Sequence, residues 1–215
     1  MKTAKLATNI QWFFLAFFAI GVGLYPLIYL VSPTEHTLLG QKTQDLLATI
    51  FYLPVFYCHI GFGGLALLTG WSQFSKKLRA KNLGLHKLLG KIYVGSVVIS
   101  GVAGLSIAFY ATGGILAQTG FMGLALAWLY TTIMAFIKVR KKQISVHQDW
   151  MIRSYALCFA AVTLRIWMPA MQIGLSMDFI PAYKVVAWLC WVPNLLAAEF
   201  LLISKNKLSS KPTLR

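Results

Sequence analysis

Six stretches of the chain, roughly residues 11–31, 48–74, 88–111, 116–138, 149–173 and 183–204, run for about twenty residues or more with very few charges. At ~1.5 Å of rise per helical residue, twenty apolar residues match the ~30 Å hydrocarbon core of a bilayer. An unpaired backbone amide in hydrocarbon costs several kcal/mol, and a lone strand cannot pair its own, so each stretch reads as a helix. A membrane barrel would need short segments of alternating polarity, which this sequence lacks. Of the 215 residues, 58% are apolar and 12% charged. Soluble domains carry about 25% charged residues, so too few remain here to cover a water-facing globule. The expected fold is all-α, a polytopic six-transmembrane-helix bundle, in one integral membrane domain over residues 1–215. No A-x-A site follows the first stretch, which is expected to stay in place as a helix rather than leave as a signal peptide.

Twenty Lys and Arg stand against five acids, Glu35, Asp45, Asp149, Asp178 and Glu199, for a net charge of +15. Fifteen of the cations lie in short blocks between apolar stretches: Lys2 and Lys5; Lys76, Lys77, Arg79, Lys81 and Lys87; Lys138, Arg140, Lys141 and Lys142; and Lys205, Lys207, Lys211 and Arg215; the intervening connections hold only Lys42 and Lys184. A nucleic-acid surface interleaves its cations with polar and stacking groups on one solvated face, so no nucleic-acid partner is expected. Blocks at every second connection are a topology signal instead. They place both termini in the cytoplasm of a bacterial inner membrane, with the cations against anionic lipid headgroups. Cys58, Cys158 and Cys190 fall inside apolar stretches without CxxC spacing, and read as small packed hydrophobes rather than a disulfide framework.

Span three carries Ser96, Ser100, Gly104 and Ala108 at four-residue steps, and span four carries Gly123, Ala127, Thr131 and Ala135. Such small-residue seams let helix backbones approach, and the short Gly113-Gly114 turn suggests that these two spans pack against each other. Trp12, Trp71, Trp188 and Trp191 read as interface anchors or packing residues.

Polar groups inside spans are costly and tend to face the bundle interior. At ~100° per residue, His147, Met151, Ser154, Cys158, Ala161, Arg165 and Gln172 share one face of span five, and Tyr52, His59, Gly63, Ala66, Gly70 and Gln73 share one face of span two. Antiparallel running puts His59 and Arg165 at similar depth, where each either serves packing or meets a ligand; for Arg165 the packing alternative is snorkelling to headgroups or carbonyls. His86, Gly90, Tyr93 and Val97 share a face of span three. His86 and His147 lie at one rim, either as helix-start and headgroup residues or as axial ligands of one haem iron, with Gly90 or Gly104 admitting a porphyrin edge. Near that rim a charge-pair network is expected among Arg153, Lys91, Asp149 and a buried Glu199.

The segments Cys58-His59-Ile60-Gly61-Phe62-Gly63-Gly64, Leu85-His86 through Tyr93, His147-Gln148-Asp149-Trp150-Met151-Ile152-Arg153-Ser154-Tyr155-Ala156-Leu157, and Trp188 through Asn194 resemble a family of predicted bacterial multi-pass membrane proteins known as a domain of unknown function. The resemblance covers roughly residues 50 to 200 and implies a multi-helix membrane protein without an assigned activity. A looser likeness, through His-x-x-x-Gly at a span start, is to transmembrane b-type cytochromes. It implies histidine pairs holding haem, of which one pair, His86 and His147, matches here.

Three functions follow as expectations. The first is a redox protein holding one haem b at His86 and His147, or a quinone near His59 and Arg165 that could also accept from Tyr52; Tyr93 is counted with these as a cofactor-binding residue. The second is a transporter passing a small solute or protons by Arg165, His59, Glu199 and His147, with Pro54, Pro169 and Pro193 as possible interruptions of spans. The third is an assembly or sensory partner without chemistry. No P-loop, nucleophile elbow, dinucleotide fingerprint or zinc-protease string occurs.

Overall fold

The computed structural model describes the backbone of residues 2–209 and the side chains of residues 10–206 apart from His36. Among the described residues there is no strand, and six helices are long and apolar enough to cross a membrane: Ile10–Leu30, Tyr52–Phe74, Leu83–Ala108, Ile115–Arg140, Ile144–Gly174 and Phe179–Asn206. The apolar stretches and the spans coincide to within about five residues. Three starts come four or five residues earlier than the apolar runs suggest, those of spans three, five and six. Asn82 accepts from the Leu85 N–H and caps the third span at Leu83, and the fifth begins at Ile144 rather than Asp149. His86 and His147 therefore sit within the first turn or so of their helices.

The chain reverses between spans three and four on Gly113 and Gly114, whose φ values of 103° and 70° lie in the region that favours glycine. The seam on span three is buried as expected, yet it serves span two rather than span four. Ser100 Oγ donates to the His59 carbonyl at 2.8 Å, and a Cβ on Gly104 would lie 2.7 Å from His59 Nδ1. Span four meets the adjacent face of span three, where Leu129 closes over Gly101. The reason is that consecutive residues on one small-residue helix present two faces, and the four-residue repeat alone does not say which neighbour uses which.

Span one joins the bundle where Gly23 and Gly64 bring two backbones together; a Cβ on Gly64 would lie 2.5 Å from the Gly23 carbonyl oxygen. Its other face is exposed, with Phe13, Phe14 and Phe17 directed away from the bundle. Helical geometry tightens to 3-10 over Tyr25–Leu30, opening on Pro26.

Spans five and six are each interrupted. Span five consists of Ile144–Cys158, a turn at Phe159, Ala160–Pro169 and a π segment over Ala170–Gly174. Span six consists of Phe179–Leu189 and Val192–Ser209. Pro193 lacks an N–H and crowds the carbonyl four residues earlier, which accounts for the opening at Cys190 and Trp191. The two gaps face each other. Thr163 Oγ1 donates to the Cys190 carbonyl, and Asn194 Nδ2 shares its two N–H groups among the Ala156 and Cys190 carbonyls and Thr163 Oγ1 at 3.0–3.2 Å. The polar face expected along span five continues past the turn at Phe159, with Cys158, Ala161 and Arg165 all directed to the bundle interior, and ends in the π segment over Ala170–Gly174, where Gln172 is exposed.

Candidate functional site

The interruptions, the glycine approach and the shift to 3-10 geometry all border one cavity of about 230 Å³. Its wall is largely apolar: Val22 and Pro26 from span one, Phe56 and Leu67 from span two, Trp128 from span four, Leu157 and Cys158 from span five. The polar lining consists of Tyr29, Lys42, Tyr52, His59, Ser100, Arg165 and Tyr183. The structure thus brings His59, Arg165 and Tyr52 onto a common space. Tyr93, expected among the cofactor-binding residues, does not line it.

The Ser100 carbonyl can only accept, so its 2.9 Å contact places the proton of a neutral His59 ring on Nδ1 and leaves Nε2 with a free lone pair. Arg165 Nη1 donates to the Ala161 carbonyl at 2.7 Å, and the guanidinium carbon lies 4.2 Å from the centroid of the Tyr25 ring. Arg165 Nε is buried with no partner. An unpaired cation at a span centre costs about 2.5–3.5 kcal/mol on insertion scales, and stacking on an aromatic face returns only about 0.5–2 kcal/mol. The balance leaves a guanidinium whose bonding is incomplete. Tyr52 and Tyr183 are both buried, and no described residue hydrogen-bonds to either hydroxyl. Lys42, on the connection between spans one and two, ties the cavity shut at one end by donating to the Tyr110 carbonyl and, at 3.0 Å, to Thr112 Oγ1. Burial pushes the Lys42 ammonium down to about 8.

Sequence reading missed Lys42, Tyr29 and Tyr183. Lys42 lies on a connection and was counted only for topology, and a tyrosine among apolar residues carries no sign of what its hydroxyl meets.

Tyr93 instead takes part in a buried hydroxyl cluster. Tyr93 OH and Ser154 Oγ lie 2.7 Å apart, and Thr132 Oγ1 and Ser154 Oγ 2.6 Å apart, so one serine joins spans three, four and five. Tyr93, Thr132 and Ser154 have no solvent-accessible surface. This is a packing device rather than part of the cavity wall.

At the basic end, His147 Nδ1 meets the Ala135 carbonyl at 2.8 Å, while His86 Nδ1 is buried without a partner. The two rings are close enough to interact electrostatically. The glycines expected to admit a porphyrin edge do not leave open slots. Gln73 Oε1 would be 3.1 Å from a Cβ on Gly90, and the His59 ring covers Gly104.

Two ion pairs stand beyond this rim. Arg153 grips Glu199 with Nε and Nη2 at 2.5 and 2.8 Å, and Lys205 bonds Asp149 at 2.7 Å. Lys91 is exposed and outside both, which corrects the expected network. Glu199 is also not buried, its side chain being 39% accessible. The pair is half-buried, with Arg153 22% accessible, and pairs that water still screens contribute about 0–1 kcal/mol. Glu199→Gln is therefore expected to change the unfolding free energy by no more than about 1 kcal/mol in denaturant titrations of the detergent-solubilised protein; a loss several times larger would show that the pair is effectively desolvated.

Apolar spans around an interior cavity define a multi-pass membrane protein. Residues 56–202 match the model of a family described as predicted membrane protein (DUF2306), and the chain belongs to that family. The matched region takes in most of span two, spans three to five and most of span six, so span one lies outside it. No curated protein and no solved structure matches the chain.

Proposed function

We propose that the protein binds a small hydrophobic ligand in this cavity, that the ligand is a quinone, and that the protein serves electron transfer in a bacterial inner membrane with its basic end toward the cytoplasm. The observation that carries the reading is one apolar chamber holding two incompletely bonded groups, the Arg165 guanidinium and the His59 ring. A quinone ring matches the apolar wall, and one of its oxygens accepts from the Arg165 guanidinium. His59 Nε2, bare in the neutral ring, accepts a hydrogen bond from a quinol hydroxyl. Tyr52 supplies a second donor. The volume falls below the ~300–1,000 Å³ of sites that enclose drug-sized ligands, so a ring fits and a long isoprenoid tail lies outside.

The neighbouring imidazoles of His86 and His147 favour a second reading, one haem b near the basic end. An axial histidine usually has its other nitrogen held by a carbonyl, as Ala135 holds that of His147. The filled spaces at Gly90 and Gly104 weigh against it. The facing gaps in spans five and six favour a third, passage of a small solute, since such gaps line the sites of many transporters.

One preparation tests these. The purified protein, titrated with a short-tailed quinone, is expected to show saturable quenching of tryptophan fluorescence, because Trp128 lines the cavity. Arg165→Gln should weaken binding at least tenfold. Absence of saturable quenching sinks the quinone reading, whereas a Soret band that shifts on dithionite reduction transfers the site to His86 and His147.

A further inference from the structure

The cavity's charges do not balance. Its lining includes Arg165, Lys42 and His59, and no Asp or Glu. All five acids of the chain lie elsewhere. Glu199 and Asp149 are engaged by Arg153 and Lys205, and Glu35, Asp45 and Asp178 are exposed. Among the described residues neither Arg165 nor Lys42 has an anionic partner. Buried charges in proteins are as a rule paired, and the rule is stricter for Arg165, which lies within a span.

The uncharged donors crowd toward the same end. Tyr29, Tyr52 and Tyr183 are within electrostatic reach of one another, and Tyr29 is within reach of Arg165. Tyr52 and Tyr183 have free hydroxyls, and Lys42 spends its contacts on Tyr110 and Thr112 while keeping a third N–H. Phenols, guanidinium and ammonium together form a donor-rich, acceptor-poor pole. The opposite part of the cavity, bounded by Leu67, Trp128 and Leu157, is apolar. A site polarised in this way selects a molecule that is greasy at one end and negatively charged at the other.

We propose that the ligand binds as an anion, with a charged oxygen held at the pole formed by Arg165, Lys42, Tyr52 and Tyr183 and its apolar body lying against Leu67, Trp128 and Leu157. The inference rests on the cavity being a ligand site and refines what occupies it. The shared chemistry is an ionised oxygen on an apolar body, which an acidic hydroxyquinone and a lipid carboxylate both provide. Electrostatic attraction to two unpaired cations, rather than shape, sets the preference.

The test uses the full chain in lipid nanodiscs and a matched pair of probes: a 2-hydroxy-3-alkyl-1,4-naphthoquinone, ionised at neutral pH, and its uncharged 2-methyl counterpart. The hydroxyquinone is expected to bind at least tenfold more tightly. The preference should persist in Arg165→Lys, which keeps the charge, and shrink severalfold in Lys42→Gln and in Arg165→Gln. Lys42→Gln keeps the measurement decisive if Arg165→Gln fails to fold, because Lys42 lies outside the spans. Equal affinity for the two probes overturns the anion proposal and leaves the quinone reading standing. Displacement of an environment-sensitive dye by dodecanoate, dependent on Arg165 and unmatched by either quinone, upholds the anion and overturns the quinone. Failure of all three probes to bind overturns both.

Discussion

Gly64→Leu is expected to detach the first span from the rest of the bundle. At this crossing a Cβ on residue 64 would meet the Gly23 carbonyl oxygen at 2.5 Å and the Pro26 ring at 3.1 Å. A backbone oxygen cannot rotate aside as a side chain does, so helix one must move outward. Overpacking in a well-packed core costs about 1–3 kcal/mol, and here little resists the displacement, because the outer face of span one touches no other span. The larger consequence is for the cavity, which loses Val22, Pro26 and Tyr29 from its wall and the Tyr25 ring from the Arg165 guanidinium. Limited proteolysis between residues 31 and 51 and ligand titration of the same preparation measure both effects. Wild-type protection together with wild-type binding would show that the two glycines are not a close crossing.

Ser154→Ala is expected to destabilise the bundle more than simultaneous removal of all three hydroxyls it connects. The single change strips Tyr93 of its 2.7 Å partner and Thr132 of its 2.6 Å partner at a site without accessible surface. Thr132 retains a bond to the Trp128 carbonyl, at 2.8 Å, so most of the loss falls on Tyr93. A buried donor left without an acceptor costs about 1–3 kcal/mol, while replacing every member of a polar group by apolar isosteres can be nearly neutral. The combination Tyr93→Phe, Thr132→Val and Ser154→Ala should therefore recover much of the stability lost by Ser154→Ala alone. Thermal unfolding of the four proteins in one detergent gives the comparison. Additive losses would mean that each hydroxyl contributes separately and that Ser154 is not a hub.

The spans were legible because hydrocarbon thickness and backbone hydrogen bonding leave a polytopic chain only one local solution. Their ends were less so: Asn82 extends span three by capping a segment whose Lys87 and Lys91 make it look like a loop. Helical phase brought His59 and Arg165 to one depth, and the structure places both on one cavity. It misled for Gln172, since stepping around a helix at a fixed angle assumes no change of winding and a π segment runs over Ala170–Gly174. Tyr93 and His86 share a helix face, yet Tyr93 is drawn to Ser154, a choice made by a neighbouring helix that one-dimensional periodicity does not contain. Lys91 and Glu199 lie near the same rim, but Arg153, one turn from Asp149, offers two parallel N–H groups where Lys91 offers a point charge.

Asn194 ties the gap in span six to the gap in span five through the carbonyls of Ala156 and Cys190. Those carbonyls have lost helical partners, and the amide that stands in for them belongs to both helices at once. Bending at either joint would therefore break contacts in the other, so Asn194 and Thr163 together couple the shapes of the last two helices.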